Sequence, residues 1–182
     1  IWTALKNALA TLEVKPSNVL IVYGIGCSGN MSSFVKAYGF HGLHGRALPA
    51  AIGAKIANKN LKVIVVGGDG DGYGEGGNHF IHALRGNVDI TYIVHDNQVY
   101  GLTKGQMAPT TELGQQTSST PEGSADQALN PVALAIAAGG SFVAQGFAGD
   151  TTQLSQLIVD AVQHPGFSHV NVLQPCVTFN HH

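Results

Sequence analysis

The sequence predicts an α/β fold, a doubly wound and mostly parallel sheet with helices on both faces. Three observations support this prediction. Short apolar, β-branched runs such as residues 63–66 are typical of strands buried on both faces of a parallel sheet. The runs alternate with segments whose apolar residues recur at helical spacing. Turns rich in glycine, acids or amides follow three of the runs, at the sheet edge where ligands bind in such folds.

The first third of the chain predicts two helices and one strand. One apolar stripe indicates a first helix that ends before Pro16, and the stripe consists of Trp2, Leu5, Leu9 and Leu12. Residues 19–23 predict a buried strand. Residues 31–43 have no clean period and predict a loop. Residues 45–58 predict a helix, and one face of it would carry Leu48, Ile52 and Ile56.

The remaining elements continue the alternation of strands and helices. Further strands are predicted at residues 63–66, 90–94, 142–145 and 170–173. Helices are predicted at residues 77–85, at 131–138, and from Asp150 or Thr151 to the residues before His164. Residues 99–130 are long, polar and weakly periodic, which indicates a functional loop that covers a ligand and touches a partner subunit; plain disorder is the alternative.

Length and composition restrict the class of protein. The 182 residues suit one domain over residues 1–182 with a sizeable core. Only 11% of residues are charged, which indicates either a surface covered by partners or a compact parallel-sheet domain. The net charge of −2 and the lack of a basic run give no electrostatic sign of nucleic-acid binding.

The apolar runs and the cysteines indicate the cellular environment expected for the protein. The longest apolar runs are far shorter than a membrane span, so no membrane association is expected. Two cysteines far apart in the sequence do not make a disulfide framework. A reducing, cytoplasmic location is the simplest interpretation.

Two turns carry candidate metal ligands. Asp69 follows one predicted strand and Asn97 follows the next, so both should lie at one sheet edge. Their hard oxygens are too few to enclose calcium, but they suffice for a magnesium ion that takes its other oxygens from a diphosphate. The glycines around Asp69 let backbone N–H groups approach phosphate oxygens. Gly-Asp-Gly followed after 26 residues by Asn is the spacing of the thiamine diphosphate motif; a plain turn with solvent-facing acids is the alternative.

Cys27 lies in another glycine-flanked turn, after the strand at residues 19–23. Such a cysteine can be a metal ligand, a nucleophile or a packing residue, and packing is the commonest role. Cys176 follows the last predicted strand and should reach the same sheet edge, which favours a metal role for the pair.

Motifs along nearly the whole chain resemble the β subunit of 2-oxoacid:ferredoxin oxidoreductases. The matching blocks are Gly24-Ile25-Gly26-Cys27-Ser28-Gly29, His44-Gly45-Arg46, Gly68-Asp69-Gly70-Asp71, Gly77-Asn78-His79-Phe80, Tyr100 to Gln106 with Pro109-Thr110, and Gln174-Pro175-Cys176. The resemblance implies a thiamine diphosphate-binding fold. It further implies oxidative decarboxylation of a 2-oxo acid, 2-oxoglutarate or pyruvate, to its acyl-CoA. The blocks are more similar to 2-oxoglutarate-type relatives.

The resemblance also implies cofactors, partners and site residues. Electrons would pass through a 4Fe–4S cluster to ferredoxin, and the chain would pair with an α subunit in a hetero-oligomer. Asp69, Asn97 and the carbonyl of Val99 would hold Mg²⁺. The diphosphate would be lined by Gly70, Asp71, Gly101 and Leu102. The other half of the cofactor would face Ile25, Gly26, Cys27, Ser28 and His44, and the cluster would be bound by Cys27 and Cys176.

Several parts of the family pattern are missing or changed. The glutamate that activates the aminopyrimidine is expected on the partner subunit, so no catalytic residue is expected in this chain, and Glu75 suits a diphosphate-side loop. The Cys-x-x-Cys that supplies the other two cluster ligands in the family is not in this sequence, which begins at Ile1. Either that segment was lost or is disordered, or the protein has no cluster. Asn30 stands where many relatives carry Lys. His181 and His182 are either native or a tag remnant.

Three alternatives remain at the level of sequence. A thiamine enzyme of the acetolactate synthase or decarboxylase type would share the magnesium motif without needing Cys27 near Cys176. A Rossmann dinucleotide enzyme fits less well, because Asp69 and Asp71 lie where the pyrophosphate would bind. A structural subunit that binds no cofactor is the non-enzyme alternative.

Overall fold

The structure is a computed structural model that describes residues 1–180, so the two C-terminal histidines lie outside the described residues. The strands are β1 Val19–Tyr23, β2 Tyr38–His41, β3 Lys62–Gly68, β4 Thr91–Asp96, β5 Val99–Tyr100, β6 Gln106–Met107, β7 Phe142–Phe147 and β8 Ser168–Leu173. The α-helices are α1 Trp2–Thr11, α2 Ala47–Ala57, α3 Gly77–Gly86, α4 Pro131–Ala137 and α5 Thr151–Gln163. Short 3-10 segments cover Pro16–Asn18 and Cys27–Ser33, and a π-helical turn covers Gly70–Glu75.

Six strands form one parallel sheet in the order β2-β1-β3-β4-β8-β7, which confirms the predicted fold class. The chain leaves β1 toward β2 on one side, and it leaves β3 toward β4 on the other. The ends of β1 and β3 therefore diverge, which makes the crevice between them a topological switch point. Ligands of open α/β sheets bind at such a point.

Each face of the sheet packs against its own helices. Along β3 the side chains alternate: Ile64 and Val66 enter the core under α1 and α5, whereas Val63 and Val65 enter the core under α2, α3 and α4. This alternation is the period of two that a strand imposes. Burial on both faces accounts for the continuous apolar runs of the sequence.

The prediction of a loop at residues 31–43 was wrong. The segment contains the end of the 3-10 turn and the edge strand β2. All four residues of β2 are exposed, so no alternation of apolar and polar residues marks the strand in the sequence. The predicted face of α2 was wrong at its end, because Ile56 is 66% exposed. Lys55 occupies the buried side instead, and its Nζ lies 2.8 Å from the Leu61 carbonyl and from Asp89.

The long segment after β4 is tied to the domain. It forms the antiparallel pair β5–β6, and it then buries Ala108, Thr110, Thr111 and Ser124. The Leu129 amide donates to the Pro109 carbonyl at 2.8 Å and fixes the return to α4. Within residues 1–180, no helix has the length and apolar character needed to span a bilayer.

Candidate functional site

The turn after β3 is built without room for side chains. Gly70 begins the π-helical turn, and a Cβ atom there would overlap the Tyr100 ring. The Tyr100 hydroxyl donates to the Gly70 carbonyl at 3.0 Å. This contact fastens the turn that follows β3 to the turn that follows β4, so the glycine is required for the two turns to meet.

Asp69 is buried at the meeting point of these turns, with 3% of its surface exposed. The Thr110 hydroxyl donates to its Oδ2 at 2.7 Å. Burial, and then the nearby charge of Asp96, raise the pKa of Asp69 to about 7. A carboxylate in such surroundings is stabilised in its ionised form by a bound cation.

Asn97 lies in a turn that its neighbours hold in place. Its Oδ1 accepts from the Val99 amide at 3.2 Å, and its carbonyl accepts from Asn180 Nδ2 at 3.1 Å. The Thr111 hydroxyl donates to the carbonyl of Gln98. The orientation of the turn is therefore set by residues from the loop after β6 and from the C-terminal end.

Asp71 joins three loops. Its Oδ1 accepts from the Gly45 amide at 2.8 Å and from the Ile25 amide at 3.1 Å, and His44 Nε2 lies 3.6 Å from the same oxygen. A Cβ atom at Gly24 would overlap its Oδ2. Burial raises the pKa of Asp71, although the two amides oppose the shift. The side chain predicted to line a diphosphate thus also fixes the loop after β1 and the start of α2.

The two cysteines converge, as their positions after β1 and β8 predict. The Cβ position at Gly101 lies 3.5 Å from Cys27 Sγ and 3.6 Å from Cys176 Sγ. Burial raises the pKa of the Cys27 thiol, and the nearby Cys176 and Asp69 add to the shift. Asn97 Nδ2 lies 3.7 Å from the same point, so the sulfur pair adjoins the Asn97 turn.

One cavity of about 80 Å³ joins these parts at the switch point. All of the predicted site residues except Cys176 line it: Ile25, Gly26, Cys27, Ser28, His44, Asp69, Gly70, Asp71, Asn97, Val99, Gly101 and Leu102. Sites for small organic ligands usually enclose about 300–1,000 Å³. This cavity therefore holds only part of a ligand of that size.

Comparison with known proteins assigns the fold to a family. The thiamine pyrophosphate enzyme family, C-terminal TPP binding domain, matches residues 24–172. The chain belongs to this family. The matched range includes the cavity residues from Ile25 to Leu102, and membership disfavours the dinucleotide-binding alternative.

Relatives of this TPP-binding domain show more specifically which proteins the chain resembles. The chain is 50% identical to a 2-oxoacid:ferredoxin oxidoreductase subunit beta of Saccharolobus solfataricus, over 99% of the chain and 60% of the relative. It is 44% identical to the 2-oxoglutarate oxidoreductase subunit KorB of Mycobacterium tuberculosis, over 99% of the chain and 48% of the relative. The chain thus spans about half to three-fifths of these proteins. The resemblance predicted from the motifs is confirmed.

A solved structure of a related protein is also similar to this chain. It is a 2-oxoglutarate:ferredoxin oxidoreductase from Magnetococcus marinus with 2-oxoglutarate, coenzyme A and succinyl-CoA bound. The TM-score is 0.97 at 41% identity, over 98% of this chain and 62% of the other. At this similarity the two proteins share one fold over nearly the whole of this chain.

The donors at the cavity of this TPP-binding domain suit one kind of metal ion. Among residues 1–180, no group of three or more His, Cys, Asp or Glu side chains could hold a metal by itself. Asp69, Asn97 and the Val99 carbonyl instead offer one carboxylate, one amide and one backbone oxygen along the cavity. That set fits Mg²⁺, which keeps water and phosphate oxygens in its remaining positions.

The cavity is also lined by five residues that were not assigned to the site from the sequence, although all except His95 lie in the motif blocks: Gly68, His95, Tyr100, Thr103 and Gln174. His95 Nε2 and Ser28 Oγ are buried and have no hydrogen-bond partner within the described part of the chain. Burial lowers the pKa of His95 to about 3, so its ring is neutral. His95 could have been assigned to the site from its position in the sequence, because it lies at the end of a strand, two residues before Asn97.

Proposed function

We propose that this chain is the thiamine diphosphate-binding β subunit of a 2-oxoacid:ferredoxin oxidoreductase. The reaction is oxidative decarboxylation of a 2-oxo acid to its acyl-CoA, with ferredoxin as the electron acceptor. The observation that supports this best is the convergence of the Asp69 turn, the Asn97 turn and the two cysteines at one switch point. The Magnetococcus marinus protein with bound 2-oxoglutarate and succinyl-CoA favours 2-oxoglutarate as substrate over pyruvate.

The edge turns would hold the diphosphate end of the cofactor. Asp69, Asn97 and the Val99 carbonyl would bind Mg²⁺, and the backbone N–H groups around Gly70 and Gly101 would bind phosphate oxygens. Burial raises the pKa of Asp69, so a bound Mg²⁺ would compete with a proton for this carboxyl. Thiamine diphosphate supplies the electron sink for the loss of carbon dioxide, and the residues of this chain orient it.

The turn after β1 would face the rest of the cofactor. Ile25, Gly26 and Ser28 line that side of the cavity together with His44. Cys27 and Cys176 would bind one side of a 4Fe–4S cluster close to the cofactor. Such a cluster takes four thiolates, and the 182 residues contain two cysteines, so two ligands must come from outside these residues.

The site would be completed by a partner subunit. The cavity is small for a whole cofactor. Glu75 is exposed and does not line the cavity, so it is not placed to activate the aminopyrimidine. We therefore assign the activating glutamate to an α subunit and the active form to a hetero-oligomer. A cytoplasmic setting, which keeps both thiols reduced, belongs to the same proposal.

Calorimetric titration with thiamine diphosphate, with and without Mg²⁺ and with and without the α subunit, tests this function. We expect binding that requires Mg²⁺ and that Asp69→Ala abolishes. Asp160→Ala is the matched control, because it removes an acid whose contact is Gln156 on α5. Magnesium-dependent binding that survives Asp69→Ala would show that the site is elsewhere. If no binding occurred even with the α subunit, the motif would have only a structural role and the proposed function would be wrong.

A further inference from the structure

The strand β8 carries polar side chains where a parallel strand usually carries apolar ones. His169 and Asn171 are 0% and 1% exposed. Their side chains lie on the face of the sheet under α2, α3 and α4, where His169 packs against Phe80 and Tyr73. Buried polar groups destabilise a fold unless they are hydrogen-bonded, so their partners matter.

Tyr73 links the two side chains. Its hydroxyl donates to Asn171 Oδ1 at 2.7 Å, and its oxygen lies 3.2 Å from His169 Nε2. Because the hydroxyl has one hydrogen, the second contact requires Nε2–H of His169 to donate. Burial lowers the pKa of His169 to about 3, which keeps the ring in this neutral form.

Asn171 passes the chain of hydrogen bonds to Asp96. Its Nδ2 donates to Asp96 Oδ2 at 3.0 Å, with a longer contact of 3.4 Å to Gln145 Oε1. All the donors point the same way, from His169 through Tyr73 and Asn171 to the carboxylate. Asp96 precedes Asn97 directly and is itself buried. Its other oxygen, Oδ1, has no partner among residues 1–180.

We propose that Asp96 is a positioning residue for the magnesium ligands, and that Tyr73 and Asn171 hold it in place. The inference rests on the proposed function. The carboxylate is fixed from β8, so it fixes the start of the Asn97 turn, and its charge lies close to Asp69, the other ligand. Groups that orient metal ligands change metal affinity by about 10–100-fold when they are removed.

The test uses the full-length subunit in the complex that it forms. Tyr73→Phe removes only the hydroxyl and keeps the ring that packs against Phe80. Asp96→Asn keeps the shape and removes the charge. For both variants we expect the Mg²⁺ concentration for half-maximal thiamine diphosphate binding to rise about tenfold. At saturating Mg²⁺ the affinity for thiamine diphosphate should equal that of the wild type.

Ser168→Ala is the matched control. Ser168 lies on the same strand and is equally buried, but its hydroxyl donates to the Ala161 carbonyl on α5, away from the cavity. We expect its Mg²⁺ requirement to be that of the wild type. Thermal unfolding of every variant separates loss of fold from loss of metal affinity.

The outcomes are distinct. If the wild type binds with Mg²⁺ and Tyr73→Phe and Asp96→Asn need no more Mg²⁺, the inference fails and the proposed function stands. If the variants lose affinity for thiamine diphosphate equally at saturating Mg²⁺, the network is structural and the inference again fails. A wild type whose binding ignores Mg²⁺ overturns both proposals.

Discussion

The two faces of the sheet treat buried polar groups differently. Under α1 and α5, Thr91 and Ser168 both donate to one backbone carbonyl, that of Ala161, at 3.2 and 2.7 Å. On the opposite face, Tyr73 and Asn171 instead bond to other side chains, and the series ends at Asp96. A hydrogen bond to a carbonyl of a neighbouring helix satisfies a polar group but connects it to no further side chain. A series of side-chain bonds connects the core to the edge where a ligand binds.

The comparison implies that substitutions on the two faces have different effects. Substitutions under α1 and α5 should lower the free energy of unfolding without changing Mg²⁺ binding. Substitutions of the bonded polar side chains on the other face should change Mg²⁺ binding more than they change the free energy of unfolding. Each prediction below separates these effects, beginning with the largest.

Leu154→Ala should produce the largest loss of stability. Leu154 is fully buried in the cluster formed by α1, α5 and the sheet. Truncation of such a side chain lowers the free energy of unfolding by about 3–5 kcal/mol, because it leaves a cavity. We expect the folded fraction to bind thiamine diphosphate with an unchanged Mg²⁺ requirement. Denaturant unfolding and calorimetry measure the two quantities, and a raised Mg²⁺ requirement would contradict the separation of the faces.

The second effect is a pH dependence that comes from Asp69. Its pKa in the folded chain is raised to about 7, above the usual value of about 3.9, so the folded chain keeps a proton that the unfolded chain releases. The contribution of Asp69 to stability without metal should therefore be greatest below about pH 4 and fall as the pH rises to about 7, by about 2–4 kcal/mol. His95 and His169, whose pKa burial lowers to about 3, contribute in the opposite direction, so the contribution of Asp69 has to be measured as a difference.

Urea unfolding of the wild type and of Asp69→Asn at a series of pH values measures this contribution as the difference between the two proteins. The stability of the wild type relative to Asp69→Asn should fall between about pH 4 and pH 7, and Mg²⁺ with thiamine diphosphate should reduce this fall. Asp160→Asn on α5 is the control, and its stability relative to the wild type should not change with pH in this way. A difference between the wild type and Asp69→Asn that does not vary with pH would contradict the raised pKa of Asp69.

The fold could be predicted from sequence because its strands are buried on both faces. Residues 19–23 were placed correctly, and the turns at Asp69 and Asn97 meet because both follow neighbouring parallel strands. The edge strand β2 could not be predicted, since all four of its residues are exposed. Nothing in the sequence pattern marks it.

The candidate site was predictable only in part. The cysteines and glycine turns carry recognisable motifs. Tyr73 and Asn171, by contrast, are 98 residues apart and join through one hydrogen bond. In the sequence Asn171 is a polar residue within a strand, and Tyr73 is an aromatic residue in a glycine-rich turn. Their pairing depends on the register of β3 against β4 and of β4 against β8, which local patterns do not specify.

Thr110→Val tests the loop that covers Asp69. The change removes the hydroxyl that donates to Asp69 Oδ2 at 2.7 Å and keeps the shape of the side chain. Hydrogen bonds to charged groups contribute about 1.5–3 kcal/mol, so the pKa of Asp69 should rise further and Mg²⁺ should bind more weakly. Calorimetry at pH 7 and pH 8 measures this, and the deficit should be smaller at pH 8. Thr91→Val, which removes a buried hydroxyl under α5, should leave Mg²⁺ binding unchanged.

The smallest expected effect comes from the helix N-caps, one of which lies on each face of the sheet. Asn130 caps α4 by accepting from the Ala133 amide at 2.9 Å, and Asp150 caps α5 by accepting from the Gln153 amide at 2.9 Å. Replacement of either cap by alanine should lower the free energy of unfolding by about 1 kcal/mol. Since α4 and α5 lie on opposite faces, equal losses with unchanged Mg²⁺ binding would mean that helix ends do not distinguish the faces. The distinction would then belong to the side-chain series that ends at Asp96. A raised Mg²⁺ requirement in Asn130→Ala alone would extend the coupling to α4.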